Sequence, residues 1–273
     1  MNPEFSQLGK KSEYIAHYAP ELLFPIPRKI KRDEIDIDET NLPFYGVDIW
    51  NHYEVSWLNL NGKPEVAIAT IVVPVTSPNI IESKSMKLYF NSFNNDKFAS
   101  NKEVEGIMSR DLTLATGAEV NVSLYNLQSG LFNIHIPDGI LIDTLDVEID
   151  QYTVNPTLLK TTNDEIISEK LYSNLLKSNC LVTNQPDWAT VIIEYTGKAI
   201  DHASLLKYII SFRNHNEFHE QCVERIFNDI MKYCPVNELT VSARFTRRGG
   251  VDINPLRTTK IDFATDNLRL IRQ

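Results

Sequence analysis

Cysteine is scarce in this chain of 273 residues. There are three, Cys180, Cys222 and Cys234, an odd number confined to the C-terminal half. That excludes a disulfide framework and makes a reducing cytoplasm the simplest setting. Long apolar runs are also lacking: the run at 66–75 is too short to cross a bilayer and reads as a buried strand. The first eleven residues are polar and carry no apolar signal-peptide core, so neither export nor a membrane partner is expected. Positive charge is in deficit, with 27 Lys and Arg against 36 Asp and Glu, a net charge of −9. Such a chain has no general attraction for phosphate backbones, so a small-molecule partner is expected rather than a nucleic acid. No G-x-G-x-x-G turn follows a strand, which excludes a Rossmann nucleotide site. His215 and His219 stand four apart, but no third ligand cluster accompanies them, and no metal is expected. What is present is a hydrophobic content of 42%, enough for a substantial core.

The chain repeats itself. A-T-I-V-V-P-V-T from Ala69 returns as A-T-V-I-I-E-Y-T from Ala189, 120 positions later. At an offset of 119, Ser85, Tyr89, Ser92, Phe93 and Asn95 meet Ser204, Tyr208, Ser211, Phe212 and Asn214. Gly130 likewise meets Gly249. The ordered matches point to two copies of one α+β fold, each reading strand, helix, helix, strand. Met86, Tyr89, Phe90 and Phe93 follow i, i+3, i+4, i+7 spacing, as do Leu205, Tyr208, Ile209 and Phe212, so each set predicts the core face of a helix. Strand signals fall at 66–75, 120–127, 145–149, 188–195 and 239–245, and an amphipathic helix at 218–233. Periodicity lapses over 151–164, which places the boundary between 1–155 and 156–273.

The copies differ in their chemistry. Lys84 and Lys87 belong to the first, where the second has Ala203 and Leu206. Cys180, Asp187, the His219-Glu220 pair and Arg247-Arg248 belong to the second. This division suggests one composite site, although independent surface drift would leave the same pattern. Cys180 sits in the polar stretch S-N-C-L-V-T-N-Q-P-D, the setting of a reactive thiol rather than of a packed one such as Cys222. Asp187, seven positions on, could accept the thiol proton and return it to a substrate nitrogen. One Cys and one Asp at that spacing are weak evidence, and taken alone a structural role for Cys180 comes first. Glu220 could accept N–H bonds from a heterocycle and His219 could shuttle a proton, or the acid could simply favour the first helical turn. Lys84, Lys87 and the Arg247-Arg248-Gly249-Gly250 turn could hold phosphate, or form solvated charged faces.

Together these residues resemble the bimodular 7-cyano-7-deazaguanine reductases of the tunnelling-fold superfamily. The resemblance runs through L-L-F-P-I-P-R from Leu22, G-V-D-I-W from Gly46, Y-E-V-S-W-L-N from Tyr53 and E-S-K-S-x-K-L-Y from Glu82. It continues with Cys180, Asp187, F-R-N-H-N-E-F-H-E from Phe212 and R-R-G-G-V-D-I-N-P from Arg247. It implies two tandem tunnelling-fold units, with antiparallel sheets and helices on one face, paired into a homodimer. It implies NADPH-dependent reduction of the nitrile of 7-cyano-7-deazaguanine to an aminomethyl group, in the synthesis of the tRNA base queuosine. By the same resemblance, Cys180 attacks the nitrile carbon to give a thioimide, with Asp187 as proton donor assisted by His219. Ile81, Glu82, Ser83, His219 and Glu220 hold the deazaguanine; Ser83, Lys84, Arg248 and Gly249 contact NADPH. Two other readings remain at this point: an amidinotransferase-like enzyme of the same superfamily, against which E-S-K-S-x-K argues, and a non-catalytic purine-binding protein. A cyclohydrolase or pterin synthase would require a zinc-ligand set.

Overall fold

The computed structural model describes residues 15–130 and 133–273; the polar first eleven residues lie outside the described part. The chain divides into two compact units. One comprises the described residues through Asp33, Asp48–Asn133 and Arg247–Ile253; the other comprises Glu34–Val47, Ile134–Thr246 and Asn254–Gln273. The architecture is α+β with mostly antiparallel strands.

The first unit opens with β1 (Pro25–Pro27) and a single turn, α1 (Lys29–Arg32). Then come β2 (Tyr45–Leu58), whose first three residues count with the other unit, β3 (Pro64–Pro74) and β4 (Asn79–Ile81). Two helices, α2 (Ser83–Asn91) and α3 (Asn101–Thr116), lead to β5 (Asn121–Tyr125). The sheet order is β5-β3-β2, and β1 pairs with β4 apart from it. The periodic stripe that begins on α2 and ends just past it is core: Met86, Tyr89, Phe90 and Phe93 are each at most 1% exposed, packed with Trp50, Val55, Trp57 and Ile71. Each such side chain contributes about 1.5–3 kcal/mol by leaving water. The ends of α3 follow local rules. Ser100 caps its start by accepting from Glu103 N, and Gly117, at φ +78°, ends it in a left-handed conformation that favours glycine.

The second unit holds β6 (Ile134–His135), β7 (Ile140–Leu141), β8 (Thr161–Asn179) and β9 (Pro186–Ile200). After these come α4 (His202–Ser211), α5 (His219–Tyr233), β10 (Val236–Phe245), β11 (Val251–Thr258) and β12 (Arg269–Leu270). The first three residues of β11 count with the first unit. The order β11-β10-β9-β8-β7 is antiparallel except where β7 runs parallel to β8, and β12 pairs in parallel with β6. Leu205, Tyr208, Ile209 and Phe212 are buried, as their spacing predicts.

One set of hydrogen bonds occurs in both units. Glu82 caps α2 and Asp201 caps α4, 119 positions apart, each accepting from the backbone N–H of a serine, Ser85 or Ser204. Each of these serines donates back to the cap's carbonyl, Ser85 to Glu82 and Ser204 to Asp201. Each also accepts an N–H from a preceding segment, Phe24 or Lys160. Tyr89 donates to Asp111 at 2.8 Å, and Tyr208 to Asp229 at 2.6 Å. Of these side chains Ser85/Ser204 and Tyr89/Tyr208 are matched in sequence, and each pair makes the same tie in its own unit.

Of the described strands of eight residues or more, three escaped the sequence patterns: β2, β8 and β11. β2 buries Asp48, Asn51 and His52, and β8 starts with polar, largely exposed residues at 161–165. Conversely, the segment 145–149 joins no ladder. Just before it, Asp143 accepts from Ser173 Oγ (2.6 Å) and Asn174 N (2.9 Å), so the segment is anchored to β8 by a side chain instead.

Candidate active site

In the second unit Cys180 follows β8 directly and opens the turn to β9. Its N–H donates to Gln185 O (2.8 Å) and its carbonyl accepts from Asn184 N (3.0 Å). Asn184 adopts φ +56°, a left-handed conformation that asparagine tolerates better than most residues. The ladder pairs Ser178 with Asp187 and Asn179 with Pro186, so Cys180 and Asp187 belong to opposite arms of the hairpin at its mouth. A polar stretch suggests an accessible thiol, but the fold buries it: Cys180 is 7% exposed and Asp187 also 7%. The reason is a parallel pairing beyond the hairpin. Asn179 N donates to His215 O (2.8 Å) and Glu217 N to Asn179 O (3.0 Å), laying 215–217 beside the start of the turn.

That same segment leads into α5, whose first residues are His219 and Glu220. His219 Nε2 stands 3.5 Å from Asp187 Oδ2, an ion pair when the ring is protonated. Its ring lies 4.0 Å from that of Phe245. Glu220, 2% exposed, sits in the first turn, where the helix dipole favours an acid. Sequence reasoning missed Glu217, which is 1% exposed. Arg225 grips it with two bonds of 2.8 and 3.0 Å, and His215 lies at 3.1 Å. Burial alone would raise the pKa of Glu217; hydrogen bonds and charge from His215 and Arg225 outweigh it and hold the carboxyl below its ordinary value. Glu217 and Arg225 thus fasten the approach to α5, eight positions apart with no periodic pattern to reveal them. The other two thiols are unsuited to nucleophilic work: burial pushes Cys222 well above its ordinary pKa and Cys234 up to about 11.

In the first unit Ile81 ends β4, buried and paired with Pro25. The Glu82 carboxylate accepts from Lys84 N (2.7 Å) and Ser85 N (2.8 Å), capping α2, and Ser83 Oγ donates to it at 3.4 Å. Burial raises the pKa of Glu82 despite those bonds. Four acceptor positions on a carboxylate leave room for a ligand donor beyond these. Ser83 and Lys84 are partly exposed at the start of the helix. Arg248 and Val251 bond reciprocally through their backbones (2.9 and 3.2 Å), closing a two-residue hairpin at Gly249 and Gly250. Their φ values of +60° and +78° are those a tight two-residue hairpin turn needs and glycine supplies. Lys87 reaches this turn, donating to Gly249 O at 2.7 Å, while the Arg247 guanidinium covers the Tyr53 ring at 4.3 Å.

Among the described residues no three His, Cys, Asp or Glu side chains gather as a metal would require. His215 and His219 point to different carboxylates, Glu217 and Asp187. Nor is any described helix long and apolar enough to cross a membrane.

Two family profiles match the chain. One, described as the N-terminal part of the nitrile reductase 7-cyano-7-deazaguanine reductase, covers residues 14–124; the other, described as QueF-like protein, covers 186–262. A protein named NADPH-dependent 7-cyano-7-deazaguanine reductase from Dechloromonas aromatica is 60% identical over 269 residues, 98% of this chain and 95% of that one. The chain belongs to the 7-cyano-7-deazaguanine reductase family. Reductases of the same name from Cupriavidus metallidurans and Legionella pneumophila (strain Lens) are each 56% identical, covering 99% and 98% of this chain and 99% and 95% of their own. The first reductase profile takes in Ile81 to Lys84, and the second takes in Asp187, His219, Glu220, Arg248 and Gly249. Cys180 falls between the two profiles, within the nearly full-length reductase alignments.

Proposed function

We propose that this chain reduces the nitrile of 7-cyano-7-deazaguanine to an aminomethyl group with NADPH, serving queuosine synthesis in the cytoplasm. Its sequence carries two tandem tunnelling folds, 1–155 and 156–273, although 34–47, 134–155 and 247–253 each count with the opposite compact unit, and it works as a homodimer. The observation that carries this reading is the Asp187–His219 pair beside the Cys180 turn, in a chain 60% identical to a named reductase over 98% of its length.

Cys180 adds across the nitrile: its sulfur bonds to the carbon, and the thiol proton passes to the nitrogen, giving a thioimide. Asp187 is the group that moves that proton, and His219 holds the Asp187 carboxylate and shares its charge. An activated C=N of this kind accepts hydride far better than a bare nitrile. When bound, NADPH supplies a hydride in each of two rounds; with two protons this balances nitrile to amine. Cys180 leaves between rounds and recovers its proton. Ile81, Glu82, Ser83, His219 and Glu220 hold the deazaguanine, the carboxylates accepting its ring and amino N–H groups. Ser83, Lys84, Arg248 and Gly249 hold NADPH. The residues fit a dinucleotide: Lys84 and Arg248 are cations with solvent access, and the Gly249-Gly250 turn has no Cβ to obstruct a phosphate.

The test is absorbance loss at the NADPH band on mixing protein, 7-cyano-7-deazaguanine and NADPH. Loss that depends on the nitrile supports the reading; a bound nitrile with no loss would leave a purine-binding protein. A second expected outcome separates the roles. Lys84→Ala removes a charge-assisted contact worth roughly 1.5–3 kcal/mol, about ten- to hundredfold in NADPH affinity. Adduct formation on Cys180 needs no NADPH and stays near the parent level. Fluorescence titration and intact mass on the same variant check both; loss of adduct with NADPH binding intact would move Lys84 to the substrate set.

A further inference from the structure

The hairpin carrying Arg248 is held by a side-chain network in the first unit that no cofactor contact explains. Glu54, on the solvent side of β2, accepts from Lys87 Nζ at 2.9 Å, and the same ammonium donates to Gly249 O at 2.7 Å. Glu54 is held from behind: its backbone N–H donates to His52 Nδ1 at 3.1 Å, and the His52 ring stacks on Phe90 with centroids 4.4 Å apart. Burial, with the charge of Lys87 adding to it, pushes His52 down to about 3. The ring therefore stays neutral, with Nδ1 available as acceptor. From the hairpin side, Gly250 O accepts from Tyr53 N at 2.9 Å. The fit is close: a Cβ at Gly250 would stand 2.5 Å from the Glu54 carboxyl carbon, and one at Gly249 3.2 Å from Lys87 Cδ.

We propose that Glu54 and Lys87 are positioning residues, a clamp that fixes the 247–251 hairpin in the shape that offers Arg248 to a phosphate of the cofactor. This rests on the NADPH reading above. It gives Lys87 a different task from Lys84. Both of its described hydrogen bonds go to Glu54 and Gly249, so its charge is already directed into the protein. It also assigns a purpose to an acid that would otherwise oppose an anionic ligand at this spot.

The sign of one substitution decides the matter. If Lys87 bound phosphate directly, Glu54→Gln would remove a competing carboxylate and NADPH would bind tighter. The clamp predicts the reverse: about three- to fivefold weaker binding in Glu54→Gln, the range of an exposed ion pair. Lys87→Met, which loses both contacts, should weaken binding by about tenfold or more. The double variant should match Lys87→Met rather than the product of the two. Glu54 is half exposed, so its variants should keep their fold, which circular dichroism checks. A second readout uses the protein alone. Hydrogen exchange at the Tyr53 and Val251 amides, both bonded within the hairpin network, should accelerate in both variants and be restored in part by Lys87→Arg. Tighter NADPH binding in Glu54→Gln, or unchanged exchange at both amides, would overturn the clamp. Should the parent protein bind no NADPH, the functional reading fails, while the exchange experiment still reports on the clamp.

Discussion

Cys180→Ala is expected to lose turnover by on the order of 10⁴–10⁶-fold, the scale on which covalent catalytic units fail when one member is removed. Cys180 opens the turn at the mouth of the β8–β9 hairpin, with Asp187 on the opposite arm and His219 3.5 Å from that carboxylate. Cys222, fully buried on α5, and Cys234, at its end, have thiols that burial keeps protonated far above neutral pH. Protein mixed with the nitrile and no NADPH should gain one substrate mass. Cys180→Ala should gain none, while Cys222→Ala and Cys234→Ala keep the adduct. Asp187→Ala should bind NADPH normally yet turn over about 10²–10⁴-fold more slowly, as expected for loss of a general acid–base. An adduct mapped by peptide mass to Cys222 would end the assignment of the nucleophile.

The second large effect is on stability. Glu224 and Arg257 are an ion pair with both side chains fully buried in the second unit. Arg257 donates to Glu224 Oε1 through Nε (3.2 Å) and Nη2 (2.9 Å), and its Nη1 reaches Leu256 O (2.9 Å) and Val47 O (3.2 Å). Water cannot take over for a missing partner there. Glu224→Ala is therefore expected to cost about 3–5 kcal/mol, the range for an uncompensated buried charge. That is a large share of the ~5–15 kcal/mol that holds a typical domain. Replacing both residues together, Glu224→Leu with Arg257→Met, should recover most of the loss, because the desolvation of two charges disappears with them. Urea unfolding measures both variants. A loss in Glu224→Ala below about 1 kcal/mol, the scale of a surface pair, would show that the pair does not carry its charges in isolation from water.

The parts of this molecule legible in its sequence are those governed by local periodicity. Met86, Tyr89 and Phe90 announced a helix face because 3.6-residue spacing and burial coincide in α2, and Phe93 continues the stripe just past its end. β2 was hidden because its interior carries polar groups that find partners far away in sequence: Asp48 meets Arg28 at 2.5 Å, and Asn51 meets Asp252 at 2.9 Å. A hydropathy pattern registers such residues as surface. The polar setting of Cys180 was readable, but its burial was not, since it depends on 215–217 pairing with Asn179 some 36 positions earlier. Lys84 and Lys87 looked equivalent in E-S-K-S-x-K. The family resemblance already set Lys84 apart as a cofactor contact, and the fold gives Lys87 its own partners, Glu54 and Gly249. The acids that cap α2 and α4 differ in type, Glu82 and Asp201, so sequence identity passed over them, yet each makes the same cap because a helix start constrains its geometry closely.

Reduction of a nitrile to an amine takes four electrons, two from each NADPH. The direct measurement is a stoichiometry: NADPH oxidised against aminomethyl product formed, by absorbance and mass spectrometry on one reaction. Two NADPH should be consumed per product, with product mass four hydrogens above the nitrile. Product without NADPH consumption, or an unchanged nitrile with full binding, would contradict it.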